Sequence, residues 1–188
     1  MAVVAGCSSR PEVRAPASVL VVGDSITFQS TADVRTALRV AGWTVSVDGR
    51  PGSRVTGGYT IGSWPARLAA DVHPTPPDVV VIELGTNGCG FCTTDAEGID
   101  SVMATLREVP RVYWLNVRLH APATPDPAAF NRALDAATSR WHNLHVIDMN
   151  GRFDDNAKLV SFDHTHLTTA GERVFADMIV HALPKVVG

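Results

Sequence analysis

Two short apolar runs, each ended by a polar turn, constrain the fold of this chain more than any other feature. Residues 19–22 lead into a Gly-Asp-Ser tripeptide, and residues 79–84 lead into Gly-Thr-Asn. Apolar runs of this length between turn signals are typical of strands buried on both faces, as in a parallel sheet. The sequence therefore predicts a buried parallel sheet with polar turns at the ends of its strands.

Strand and helix patterns alternate about five times along the chain. Further strands are predicted at 43–47, 111–117 and 144–148, and helices at 29–41, 59–72, 94–108, 125–141 and 168–183. This alternation predicts an α/β fold, a three-layer αβα sandwich with a central parallel sheet of about five strands, similar to flavodoxin-like folds. Right-handed crossovers gather the carboxyl ends of parallel strands at one edge. We therefore expect Ser25, Asn87 and the segment before the last helix to converge.

Length and charge limit the class of protein. A chain of 188 residues suffices for one domain with a sizeable core. We predict that residues 1–17 form a flexible N-terminal segment and that residues 18–188 form a single domain. A net charge of −3 without a basic run gives no electrostatic argument for binding nucleic acid. No apolar stretch reaches the roughly 18 residues that a transmembrane helix needs.

The segment around Cys7 is similar to a bacterial lipobox, in which small residues precede a cysteine that is lipidated. An export signal also needs a positively charged start and a longer apolar segment. Only residues 1–6 precede Cys7, and they include no Lys or Arg. Either Cys7 carries a lipid anchor on an exported or envelope-associated protein, or the match is accidental and the protein is cytoplasmic.

A Cys-Gly-Phe-Cys sequence follows the second apolar run. Cys89 and Cys92 could form a small structural disulfide in an oxidising compartment. Two other interpretations stay open, namely a pair of reduced thiols and a thioredoxin-type redox centre. A zinc site is disfavoured, because no second Cys pair or nearby His completes four ligands.

Several well-known motifs are absent. No Gly-x-Gly-x-x-Gly follows the first strand, which argues against dinucleotide binding. The phosphate-binding Gly-x-x-x-x-Gly-Lys-Ser/Thr loop is also missing. No Gly-x-Ser-x-Gly surrounds Ser25, so the nucleophile elbow of α/β-hydrolases is not present.

The segment Asp163-His164-Thr165-His166 offers a different chemistry. A serine nucleophile needs a neighbouring imidazole to accept its proton, and the imidazole needs a carboxylate to fix its tautomer. Asp163 and His166 could supply both groups to Ser25. His164 is a competing base, but adjacent residues point in different directions, which favours His166. Alternatively, Asp163 and Thr168 are only caps of the last helix.

Two further residues could stabilise an oxyanion. Asn87 carries a side-chain N–H, and Gly52 offers a backbone N–H that no side chain blocks. Each would otherwise be an ordinary turn residue.

Taken in order, the Gly-Asp-Ser at Ser25, Gly52, the Gly-Thr-Asn at Asn87 and Asp163-x-x-His166 resemble the SGNH hydrolases, also called GDSL esterases and lipases. The resemblance covers residues 18–183. It implies that Ser25 is the nucleophile and that His166 is the general base and then acid. It further implies that Asp163 orients His166. The oxyanion hole would consist of the Ser25 N–H, the Gly52 N–H and the Asn87 side chain, with no metal or organic cofactor.

The chain departs from the family's pattern at two places, and only the second bears on the substrate. Ile26 replaces the Leu of many family members, and residues 88–92 replace the Asp that often follows Asn87. Residues 113–118 look similar to SGNH domains attached to membrane acyltransferases that modify envelope sugars. Arg118 in that run is either a substrate-binding cation or an exposed residue at a strand end.

The expected function is cleavage of a small-molecule or carbohydrate carboxylic ester through an acyl-enzyme. The alternatives are an acyltransferase or deacetylase that acts on envelope carbohydrate with the same site, and a non-catalytic envelope binding module.

Overall fold

A central sheet of five parallel strands organises the molecule, in the order β2-β1-β3-β4-β5. The computed structural model describes residues 17–57, 62–154 and 156–186. The strands are β1 Ser18–Gly23, β2 Thr44–Gly49, β3 Val79–Glu83, β4 Arg111–Leu115 and β5 Leu144–Ile147. The helices are α1 Ser25–Gln29, α2 Thr31–Val40, α3 Trp64–Asp71, α4 Asp95–Thr105, α5 Pro127–Ala137, α6 Met149–Phe153 and α7 Thr169–Ala182. The predicted α/β sandwich is confirmed, whereas Cys7 lies outside the described residues.

Helices cover both faces of the sheet. In β1, Leu20 and Val22 join a core with α3, α4 and α5, while Val19 and Val21 join a second core with α2, α6 and α7. Side chains that alternate between two buried faces explain why β1 and β3 read as continuous apolar runs. Each fully buried aliphatic side chain contributes roughly 1.5–3 kcal/mol, so both layers stabilise the sheet. None of the described helices is long and apolar enough to cross a bilayer.

The first helical region differs from the prediction. The sequence predicted one helix at 29–41, but α1 begins at Ser25 and is separated from α2 by Ser30. The cause is local, since the Asp24 carboxylate accepts a hydrogen bond from the Ile26 N–H at 2.9 Å and caps the helix directly after β1. This early start places Ser25 in the first turn of α1.

Two other elements also differ. The helix predicted at 59–72 is described from Trp64 onwards as α3, with Pro65 in its first turn, and residues 58–61 lie outside the described part. The short helix α6 was missed, and it begins where the Asp148 side chain accepts from the Gly151 N–H. Neither difference changes the order of the strands.

Candidate active site

Ser25, His166 and Asp163 form a continuous hydrogen-bonded chain at the carboxyl edge of the sheet. The distance from His166 Nε2 to Ser25 Oγ is 2.9 Å, and the two residues are 141 positions apart in sequence. On the other side of the ring, His166 Nδ1 lies 2.6 Å from Asp163 Oδ2. The structure therefore brings together the serine, imidazole and carboxylate that the sequence singled out.

The turn that carries His166 is held by Asp163 itself. Asp163 Oδ1 accepts hydrogen bonds from the backbone N–H groups of Thr165, at 3.0 Å, and His166, at 2.9 Å. His164 between them adopts a left-handed φ of 56°, which is uncommon for a residue other than Gly. Thr168, not Asp163, caps α7 by accepting from the Gly171 N–H. The carboxylate of Asp163 is therefore committed to the His166 turn rather than to a helix end.

These hydrogen bonds also set the ionisation of Asp163. Desolvation, the largest single influence, raises the pKa of Asp163, but the hydrogen bonds from the His166 ring and from the Thr165 and His166 N–H groups together lower this pKa to about 2. An ionised carboxylate only accepts hydrogen bonds, so His166 Nδ1 must carry the proton. His166 Nε2 is then free to accept the Ser25 hydroxyl proton.

His164, the competing base, has a different environment. It lines a cavity of about 340 Å³ together with Arg118 and His120. Its carbonyl oxygen accepts a hydrogen bond from Arg118 Nη1 at 2.9 Å. Arg118 is only 3% exposed, so its interpretation as an exposed residue at a strand end is wrong. Arg118 instead supports the left-handed turn between Asp163 and His166.

The two backbone donors predicted for the oxyanion hole, the Ser25 and Gly52 N–H groups, lie in the segment after β1 and in the loop after β2. Among the described residues, neither the Ser25 N–H nor the Gly52 N–H donates to a protein acceptor. Gly52 has a φ of 75°, a conformation that Gly adopts without steric cost. The Arg50 N–H donates to the Gly23 carbonyl at 2.8 Å and fastens the Gly52 loop to the end of β1. The loop that carries the Gly52 donor is therefore joined to the strand end that precedes Ser25.

The side-chain amide of Asn87 is engaged instead. Asn87 Nδ2 donates to Asp24 Oδ2 at 2.8 Å and to the Ser53 carbonyl at 3.1 Å. The two bonds account for both N–H groups of the amide. Asn87 therefore lies between the Gly-Asp-Ser turn and the Gly52 loop, with its donors already in use.

A buried pair of carboxyl groups, Asp24 and Glu83, lies under this region. Asp24 is fully buried and Glu83 is 2% exposed. Burial raises the pKa of Asp24 to about 6 and raises that of Glu83 well above its usual range. Sequence reasoning missed this pair, and the available signal was an acidic residue inside the apolar run of β3.

Cys89 and Cys92 are joined by a disulfide in the loop after Asn87. Gly98 of α4 packs against it, and a Cβ at Gly98 would collide with the Cys89 sulfur. The Thr56 N–H donates to the Cys89 carbonyl at 2.8 Å, so this loop also contacts the segment after Gly52. Within the described ranges, no cluster of three His, Cys, Asp or Glu side chains could hold a metal ion.

A family model confirms the class of protein that this site suggests. Residues 21–174 match the GDSL-like Lipase/Acylhydrolase family, and the chain belongs to that family. Members of the family act on esters, so this protein is an enzyme that acts on esters. A Staphylococcus aureus (strain MSSA476) protein to which O-acetyltransferase activity is provisionally assigned is 32% identical over 114 residues. That match includes 57% of this chain, which spans only 17% of the relative's length.

Solved structures share the fold at low identity. TesA superposes with a TM-score of 0.70 and 21% identity, covering 90% of this chain and 99% of TesA. The C-terminal catalytic domain of Streptococcus pneumoniae peptidoglycan O-acetyltransferase A superposes with a TM-score of 0.68 and 15% identity, covering 89% of this chain and 93% of that domain. A Clostridium thermocellum family 3 carbohydrate esterase superposes with a TM-score of 0.64 and 16% identity, covering 88% of this chain and 98% of the esterase. All are similar to this chain in fold.

Proposed function

We propose that this protein cleaves carboxylic esters through an acyl-enzyme intermediate on Ser25. The observation that carries the proposal is the 2.9 Å approach of His166 Nε2 to Ser25 Oγ, with Asp163 holding the opposite ring nitrogen at 2.6 Å. A nucleophile within hydrogen-bond reach of a base that a third group orients is the signature of covalent acyl transfer.

The reaction begins when Ser25 Oγ attacks the acyl carbon and its proton passes to His166 Nε2. The tetrahedral intermediate collapses as His166 returns this proton to the leaving alkoxide, which departs as an alcohol. Water then attacks the acyl-enzyme, His166 again accepts and returns a proton, and the carboxylic acid leaves. Asp163 stays ionised and stabilises the imidazolium in both steps.

The oxyanion of each tetrahedral intermediate would be bound by the Ser25 N–H, the Gly52 N–H and the Asn87 amide. The two backbone donors are free among the described residues. Asn87 must share a donor, and its longer bond, 3.1 Å to the Ser53 carbonyl, is the one that substrate would compete for. Hydrogen bonds that strengthen only when negative charge develops on the substrate oxygen increase the reaction rate rather than the affinity for substrate.

Acyl transfer to a carbohydrate hydroxyl is the second candidate function. The match to the Staphylococcus aureus protein favours it, because O-acetyltransferase activity is provisionally assigned to that protein. The same Ser25 intermediate would serve, with a sugar hydroxyl in place of water. A lipid anchor at Cys7 and envelope association are proposed from the lipobox-like segment around Cys7, and a Cys89–Cys92 disulfide suits an oxidising compartment. Mass spectrometry of the native N-terminus tests the anchor, since an unmodified Met1 contradicts it.

The function is tested with p-nitrophenyl esters of increasing chain length and with acetylated sugars, each with and without an added sugar acceptor. Free acid as the product supports hydrolysis, and esterified acceptor supports transfer. Ser25→Ala should abolish turnover and labelling by a fluorophosphonate probe. Wild-type activity in Ser25→Ala would contradict the nucleophile. No labelling of the wild type would support a non-catalytic binding module instead.

A further inference from the structure

The buried carboxyl pair under Ser25 is surrounded by hydrogen-bond donors. Glu83 Oε2 accepts from the Thr27 hydroxyl at 3.0 Å and from the N–H groups of Asp24 and Thr27, both at 3.3 Å. Asp24 Oδ1 accepts from the Ile26 N–H at 2.9 Å, and Asp24 Oδ2 accepts from Asn87 Nδ2 at 2.8 Å. Three donors therefore converge on one oxygen of Glu83, and each oxygen of Asp24 accepts its own donor.

The two carboxyl groups are neighbours in a buried site, since the Asp24 N–H donates to Glu83 Oε2 and both residues are almost fully buried. Two neighbouring negative charges in a dry interior would repel strongly. A hydrogen bond between the two groups would require a proton on one of them, because ionised carboxylates are acceptors only. The pair therefore holds one proton and one negative charge.

The surroundings decide which residue holds the proton. Both oxygens of Asp24 already accept a donor, the Ile26 N–H and the Asn87 amide, which are the contacts of an ionised carboxylate. All three donors to Glu83 reach Oε2, so in the described part of the chain Oε1 is the oxygen that can carry a proton, and burial together with the nearby Asp24 charge raises the pKa of Glu83. The titratable groups that face Asp24 are Glu83 from β3 and His166 from the loop before α7. Ionised Asp24 beside protonated Glu83 satisfies all of these contacts.

We propose that Glu83 is a positioning residue that stays protonated at neutral pH and donates a hydrogen bond to the Asp24 carboxylate, which in turn fixes the Asn87 amide and the first turn of α1. The inference rests on the proposed function for its link to the reaction. Through Asp24, the Glu83 proton sets the orientation of Asn87 and the direction of the Ser25 N–H. Glu83 itself does not touch the substrate.

Replacement by Gln tests the proton directly. Glu83→Gln keeps the shape of a protonated Glu, with one acceptor and an N–H that can face Asp24. It should retain kcat within roughly tenfold of wild type, since only one surplus N–H is added. Glu83→Ala and Asp24→Asn should lose kcat by roughly 10²-fold or more, the cost of an oxyanion donor out of place, with KM little changed.

A matched control separates positioning from general destabilisation. Val80→Ala removes a fully buried side chain from the opposite face of β3, so it should lower the melting temperature without the loss of kcat. All variants are assayed well below their melting temperatures. If folded Glu83→Gln loses as much kcat as Glu83→Ala, then Glu83 acts as a carboxylate and the proposal is overturned.

Infrared spectroscopy detects the proton on Glu83 without an activity assay. At pH 8 the wild type should show a carboxylic-acid carbonyl band that is missing from Glu83→Gln. Absence of this band in the wild type would also overturn the proposal. Because the band does not depend on turnover, it separates this inference from the proposed function, which fails if Ser25→Ala stays active.

Discussion

Gln29 Nε2 donates a hydrogen bond to the Leu167 carbonyl oxygen at 3.1 Å. This bond joins the last residue of α1 to the residue that follows His166. Since Ser25 is the first residue of the same five-residue helix, the bond ties the helix of the nucleophile to the segment of the base. The distance between Ser25 and His166 therefore depends on a contact made outside the reacting groups.

Replacing Gln29 with Leu should lower kcat by about tenfold with KM nearly unchanged, because a small misplacement of reacting groups is costly. Leu keeps the bulk of the side chain but cannot donate to Leu167. Val40→Ala, at an 84% exposed position at the end of α2, is the control and should keep full activity. Steady-state kinetics on a short ester measures both parameters. An unaltered kcat in Gln29→Leu would mean that the loop before α7 positions His166 unaided.

Asp163→Asn should reduce kcat by about 10⁴-fold, the loss seen when an amide replaces the carboxylate of such a triad. The Asn amide can offer an N–H to Nδ1 and so select the wrong tautomer of His166. Thr168 still caps α7 in this variant, so we expect the fold to persist. Circular dichroism checks the fold, and Asp177→Asn on the exposed side of α7 is the matched control. Activity within tenfold of wild type would remove Asp163 from the mechanism.

Asn87→Ala should cost about 3 kcal/mol of transition-state stabilisation, the usual loss for an oxyanion donor. Asn87→Asp should lose at least as much, because it places a second carboxylate 2.8 Å from Asp24, where the Asn87 nitrogen now lies. The ratio of kcat/KM between variant and wild type gives the free energy directly. If Asn87→Ala raises KM alone, Asn87 binds ground-state substrate instead of the oxyanion.

Glu83 should make the fold less stable as pH rises. Its pKa is 4.5 in the unfolded chain and well above that in the fold, so the native state keeps a proton that the unfolded state loses. Stability then falls with pH by up to about 1.4 kcal/mol per unit between these two pKa values. Urea unfolding from pH 5 to pH 8 should show a steeper fall for wild type than for Glu83→Gln. Parallel curves would mean that Glu83 is ionised in the fold.

Asp163 has the opposite effect on how the stability of the fold changes with pH. Its pKa is lowered to about 2, so its contribution to stability is present above its unfolded value of 3.8 and is lost as pH falls through about 2. Asp163 therefore does not contribute to the loss of stability with rising pH that we expect from Glu83.

The apolar runs predicted the sheet well because strands buried on both faces leave a continuous signal in the sequence. The sequence likewise predicted that the side chains of Ser25, His166 and Asp163 meet, whereas the contacts of Asn87 with Asp24 and Ser53 were not predicted. The start of α1 was not predictable in this way, because it depends on how the Asp24 side chain turns back onto Ile26. The proton on Glu83 could not be predicted from the sequence for a similar reason. It depends on Asp24, 59 positions earlier, which becomes its neighbour only in the folded sheet.

The strand order has a consequence for synthesis of the protein. The nucleophile follows the first strand, which lies inside the sheet, while the imidazole comes after the last strand and just before α7, the helix that packs on α2. A nascent chain that has emerged from the ribosome as far as β4 holds the Ser25 turn but no base. On the proposed mechanism, turnover at Ser25 therefore cannot begin until translation has passed His166.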